Sequence, residues 1–209
     1  MARSWVEMNW PRQVLGLVAA LALAGCAAAG MPAAPQPPGA VRLTTEKDGR
    51  FVVLTGPQLR HAEPFLGIAS TNFYLLRSFI DTRAGETVHQ LYVEESYPGA
   101  ERNWNAARLA AGGPLRFVPI SKNEITCELN CSYAEEFAAA LPDPLLRGSP
   151  QGLHVRFTAQ SGASKLILVR GELVQKQLAA VDQARATLPT ATAAVAPPPA
   201  PAPVATPLR

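Results

Sequence analysis

Four groups of residues have the types and spacing that chemistry needs. Cys127 and Cys131 lie four positions apart. His61-Ala62-Glu63 sets an imidazole two residues from a carboxylate, the composition of a general base and its orienting group. Glu94-Glu95 sets two carboxylates side by side, as paired acid and base would be. Trp104, flanked by Asn103 and Asn105 and preceded by Tyr92 and Tyr97, has the aromatic and amide composition of a sugar or peptide groove. Trp104 and Tyr97 are therefore the candidate ligand contacts.

Spacing weakens the catalytic readings. Reactive cysteine pairs usually have two intervening residues, and this pair has three. A zinc site wants two further ligands, and His61, His89 and His154 are scattered along the chain. Consecutive residues of a strand point to opposite faces, which separates Glu94 from Glu95. No nucleophile elbow, phosphate-binding loop, dinucleotide fingerprint or His-Glu-x-x-His run occurs. The sequence thus assigns no catalytic residue, no metal ligand and no cofactor. A net charge of +3 in 209 residues is too weak to argue for nucleic acid.

The elements that must position these residues read mainly as strands. Runs at 50–54, 72–80, 87–93, 115–120, 153–157 and 165–169 are aliphatic and aromatic, several alternate, and turn residues separate them. Pro119 points to an edge or a bulge. Residues 172–185 predict a helix with an apolar stripe at Val174, Leu178 and Val181, with Glu172 in its first turn and Arg185 in its last. The stretch 131–141 supports two readings. Ser132-Tyr133-Ala134-Glu135 is a capping box before helix formers, whereas Cys131, Tyr133, Phe137, Ala139 and Leu141 share a face at period two. The nearby cysteines favour the strand. The fold class is mainly β: an antiparallel sandwich or sheet with one C-terminal helix packed on it.

Low-complexity segments flank this domain. Residues 26–40 form a Pro/Ala-rich tether, 41–187 the folded domain and 188–209 a Pro/Ala-rich tail that cannot build a core. The first 25 residues are of another kind. Residues 14–25 are apolar and uncharged, and span about 18 Å as a helix, well short of a roughly 30 Å bilayer core. A basic flank (Arg3, Arg12) precedes them, as in a secretory signal peptide, although Glu7 is unusual there. A start at Met8 would leave a cleaner basic leader.

The run ends in Leu23-Ala24-Gly25-Cys26, which resembles the lipobox of bacterial lipoproteins. The resemblance covers only these first 26 residues. It implies that Cys26 receives a diacylglycerol thioether, becomes the first residue of the mature chain and is acylated on its new amine. Two or three acyl chains anchor stably where one holds marginally. Ala27 in place of Asp implies sorting to the outer membrane, with the domain facing the periplasm. The partners implied are the membrane, through the anchor, and an envelope protein or glycan. From Tyr97 through Cys131 to Val181 the chain also resembles secreted bacterial domains with a cysteine hairpin and a C-terminal helix, a likeness that carries no activity.

With Cys26 lipidated, the odd count of three cysteines becomes an even pair. An oxidising periplasm then favours a Cys127–Cys131 disulfide. Four residues of extended strand span about 13 Å, against the roughly 5.5 Å a disulfide spans between Cα atoms, so the chain must turn between them. A hairpin loop of Glu128-Leu129-Asn130 does this, with Ile125 facing Tyr133; one helical turn also brings the cysteines close. The combined expectation is a lipid-anchored envelope protein with a binding or accessory domain. An envelope hydrolase with a diffuse site and a purely structural spacer are the alternatives.

Replacing Cys26 with Ala is expected to block processing or release the mature chain into the soluble fraction. Unchanged membrane fractionation with unchanged mass would overturn the anchor.

Overall fold

Alternation at period two, cut by glycine and proline turns, becomes eleven strands in the computed structural model, which describes residues 39–128 and 130–188. The stretch expected to be a signal peptide, most of the expected tether and the expected tail beyond 188 lie outside the described residues. In chain order the strands are β1 (Arg42–Thr45), β2 (Phe51–Thr55), β3 (Leu59–Arg60), β4 (Phe73–Asp81), β5 (Thr87–Pro98), β6 (Trp104–Leu109), β7 (Pro114–Leu115), β8 (Phe117–Thr126), β9 (Ser132–Leu141), β10 (Gly152–Ala159) and β11 (Ser164–Arg170). Two helices join them, α1 (Asp143–Arg147) and α2 (Gly171–Thr187).

The strands form two antiparallel sheets. One has seven strands in the order β1-β2-β4-β5-β9-β8, with β3 also on β4; the other runs β11-β10-β6-β7. The main core lies between them. Leu76, Leu91, Val93, Phe137 and Ala139 of the larger sheet meet Val155, Phe157, Ile167 and Val169 of the smaller. Phe137 stands at its centre, stacked on Trp104 and Phe117 and edge-on to Phe157.

The predicted C-terminal helix is α2, and it packs on the sheets. Leu173 and Val174 complete the main core, while Val181 and Ala184 close a second cluster with Val52, Leu54 and Ile80. The stripe differs from the expectation at one position. Leu178 is only partly buried, and Gln177 is fully buried instead. The polar side chain turns inward because it has a partner there, described below.

Residues 131–141 form a strand, despite the capping box. Ten residues of β9 pair with β5 on one side and β8 pairs on the other. A central strand satisfies its backbone on both edges and buries Phe137, Ala139 and Leu141 on its inner face, which overrides local helix propensity. Strands β1, β3 and β6 and helix α1 have no counterpart among the runs read from the sequence. Trp-Asn-Ala-Ala-Arg-Leu has little β propensity and no clean alternation. The short helix α1 begins at Asp143-Pro144, with proline at an early position, and Asp143 pairs with Arg147 one turn on.

Cys127 and Cys131 are disulfide-bonded across the β8–β9 turn, with Cα atoms 3.9 Å apart. The register of that hairpin corrects one expectation. Tyr133 pairs with Glu124, not Ile125, because the ladder shifts between Glu124 and Thr126 and leaves Ile125 as the extra residue. Ile125 is accordingly exposed.

Replacing both cysteines with serine is expected to cost about 2 kcal/mol or less in urea unfolding, since the closed loop is short. A loss well beyond that would mean that the hairpin depends on the bond for its register.

Candidate functional site

Glu94 and Glu95 do point to opposite faces, and each finds a carboxylate opposite on β9. Glu94 pairs in register with Glu136, and Glu95 with Glu135. Glu94, Glu95 and Glu135 are all buried. On the outer face Glu94 accepts hydrogen bonds from the Ser96 hydroxyl and the Asn72 backbone N–H. Burial is the largest influence on Glu94; with the charges of Glu95 and Glu136 it raises the pKa above the usual carboxylate value despite those two bonds.

On the inner face, Glu95 takes the two cations within reach. Arg102 donates a hydrogen bond from 2.6 Å, and the Lys165 ammonium forms an ion pair at 2.5 Å. His61 lies 3.6 Å from the same carboxylate. The His61 ring has no role with Glu63, whose side chain is exposed. Its Nε2–H donates to the Glu94 carbonyl at 2.8 Å, which leaves Nδ1 to accept from the Lys165 ammonium at 3.0 Å. Burial and the Lys165 charge hold His61 below its ordinary pKa, so it is neutral.

Glu135 meets neutral donors. The Tyr97 hydroxyl and the backbone N–H groups of Asn103 and Trp104 all donate to it. Tyr97 does not line the cleft described below. It is buried, accepts a further bond from the Arg102 N–H at 2.9 Å, and carries the Arg102 guanidinium over its ring at 4.0 Å. Its work is to fasten the crossing from β5 to β6 on which Trp104 begins.

Trp104 lines an open cleft of about 480 Å³ between the two sheets. Two bulges shape that cleft. In β6 the ladder with β10 skips Asn105, so that Trp104 and Ala107 both turn inward. In β8 the ladder with β9 skips Ile120, between Pro119 opposite Phe137 and Ser121 opposite Glu136. Each bulge bends its strand, and the sandwich edge stays open between them. The floor is aromatic: Trp104 and Phe137 stacked at 5.2 Å, with Phe117 beside them. The rim is polar, formed by Asn103, Asn105, Ser121, Lys122, Glu136 and Gln160. Lys122 is held at the rim by Glu101 and the Asn103 side chain. Trp104 is only 6% exposed, and its Nε1–H is buried without an acceptor among the described residues. Volume, aromatic floor and polar rim together suit a ligand that has both apolar and hydrogen-bonding groups.

A second constellation has the composition of a hydrolase triad. The Ser78 hydroxyl is 2.8 Å from His89 Nδ1, and His89 Nε2 is 2.9 Å from Asp143. The sequence reading did not find it, because the three residues lie on β4, β5 and α1. In the nucleophilic triad serine meets Nε2 and the acid meets Nδ1; here the two nitrogens are exchanged. Ser78 and His89 are also fully buried, so no substrate reaches the hydroxyl. Gln177 donates to Ser78 at 2.8 Å and to the Leu54 carbonyl at 3.0 Å. Asp143 continues the chain to Arg147, and Arg147 to Asp182 of α2. This chain ties α1 and α2 to the sheet and explains the buried Gln177. His154, the third histidine, is exposed on β10.

Among the described residues no cluster of His, Cys, Asp and Glu fits a metal ion, and no helix is long and apolar enough to cross a membrane. Compared with family models, curated proteins and solved structures, the chain matches none.

Burial is the main cause holding His89, like His61, below the ordinary value of 6.5, against the pull of Asp143 on His89. The unfolded chain therefore takes up protons below about pH 6.5 that the folded chain refuses, and stability falls with pH in that window. Glu94, raised in the fold, acts in the opposite sense as pH falls toward 4.5. Urea midpoints are expected to drop between about pH 7 and pH 5, with a shallower drop in His89→Gln, which itself costs about 1–3 kcal/mol. A flat profile in the parent protein would contradict this account.

Proposed function

We propose that this chain is a lipid-anchored bacterial cell-envelope protein whose β-sandwich is a periplasmic binding or accessory domain, with the Trp104 cleft as its ligand site. The anchor reading rests on Leu23-Ala24-Gly25-Cys26 directly after the apolar run. The binding reading rests chiefly on the cleft itself, with its aromatic floor of Trp104, Phe117 and Phe137 and its polar rim. The ligand that fits is an envelope glycan or an extended peptide: each offers acceptors for Lys122, and polar groups for Asn105 and Ser121. Binding is favoured over hydrolysis because Ser78 and His89 of the serine–histidine–carboxylate chain lie inside the core.

Removal of residues 1–25 takes away Trp5 and Trp10, so Trp104 alone reports from the mature chain. Soluble peptidoglycan fragments and unstructured peptides are titrated separately while its emission is followed. One of them is expected to shift the emission saturably, and Asn105→Ala with Lys122→Ala to weaken that binding about tenfold or more. Silence from both ligand classes, or equal affinity in the double variant, would sink the assignment of the cleft.

A further inference from the structure

The outer face of the four-stranded sheet carries a pattern that folding does not explain. Register places Arg108 of β6 directly opposite Arg156 of β10, and Arg156 directly opposite Leu166 of β11. In the next row His154 faces Leu168, and beyond it Arg170 faces Gly152. All three arginines are exposed. None of the residues in β6, β7, β10 and β11 is acidic. Among the described residues the three arginines form no ion pair. Arg156 reaches only the Ser164 hydroxyl, at 3.2 Å, and Arg108 only the Gly112 carbonyl, at 3.4 Å. Like charges directly opposite in a ladder destabilise it. Here they persist although the chain holds 16 acidic residues that sit elsewhere.

Leu166 and Leu168 interrupt this cationic face, 47% and 51% exposed. Both lie on β11, the edge of the sheet. Large apolar side chains on an edge strand invite pairing with another chain. A second copy meeting here would oppose arginines to arginines, so self-association does not relieve the pattern. Acidic protein or nucleic acid would neutralise the arginines and leave the leucines against polar groups.

We propose that this face docks on an anionic phospholipid surface, with Arg108, Arg156 and Arg170 on lipid phosphates and Leu166 and Leu168 entering the headgroup–acyl boundary. One partner then satisfies both halves of the pattern, as at other interfacial membrane sites. The proposal depends neither on the lipid anchor nor on the Trp104 cleft. In an anchored chain it would lay the smaller sheet along the membrane.

The test uses the chain from residue 26 onward with Cys26→Ser throughout, so that neither an acyl chain nor the apolar run 14–25 and its basic flank contributes. Binding to phosphatidylcholine vesicles is compared with binding to vesicles containing about 30 mol% phosphatidylglycerol. Three arginines at about fivefold each predict a gain of about a hundredfold on the anionic vesicles. The gain should fall steeply from about 50 mM to about 500 mM salt. Arg108→Gln, Arg156→Gln and Arg170→Gln together should abolish the gain while leaving binding to neutral vesicles unchanged. Leu166→Ser with Leu168→Ser should weaken binding to both vesicle types. An anionic gain that survives the arginine substitutions, an absence of any gain, or leucine substitutions without effect would each overturn the proposal. So would a vesicle-free dimer that the leucine substitutions dissolve.

Discussion

Glu95 and Glu135 stand directly opposite each other in the β5–β9 ladder, on the face that the sandwich closes over. Two carboxylates side by side in a buried layer destabilise a fold unless each finds its own partners. This end of the molecule is organised by that constraint. Glu95 draws a cation from each sheet side, Arg102 from the β5–β6 crossing and Lys165 from β11. Glu135 is given neutral donors instead, two of them backbone N–H groups of the same crossing. The carboxylates therefore bind the two sheets together where the chain passes from one to the other. They also hold Trp104 at the start of β6, and so the cleft depends on them.

The far end of the sheet solves a related problem with neutral groups. Gln177, Ser78 and His89 are fully buried and polar, and they survive there as a directed chain of hydrogen bonds ending at Asp143. These bonds favour one packing of α2 on the sheet, because a slip would break both Gln177 donor bonds, although its Oε1 has no partner among the described residues. Between the two polar ends lies the aromatic centre around Phe137, which supplies the non-directional part of the stability.

Legibility differed from element to element for physical reasons. The strands at β4, β5, β10 and β11 announced themselves through aliphatic and aromatic runs between turn residues, and α2 through its 3.6-residue stripe. β9 carries helix formers, and only its place between two neighbours makes it a strand. β6 was missed because the bulge at Asn105 breaks the alternation that identifies a strand. Of the two candidate ligand contacts, Trp104 lines a cleft together with the flanking Asn103 and Asn105. Tyr97 does not, because its hydroxyl is used by Glu135. Nothing local marked Glu135, Lys165 or Arg102 as partners, since they come from three different elements.

Sequence by itself determined the class of fold, the strand-rich order ending in a helix, and the separation of Glu94 from Glu95 onto two faces. These follow from periodicity and turn chemistry, which act over a few residues. Tertiary structure alone decided which charges meet, which histidine is buried, and where the sandwich stays open. Each of those depends on register between strands distant in the chain, and a single bulged residue, Asn105 or Ile120, resets which side chains face inward.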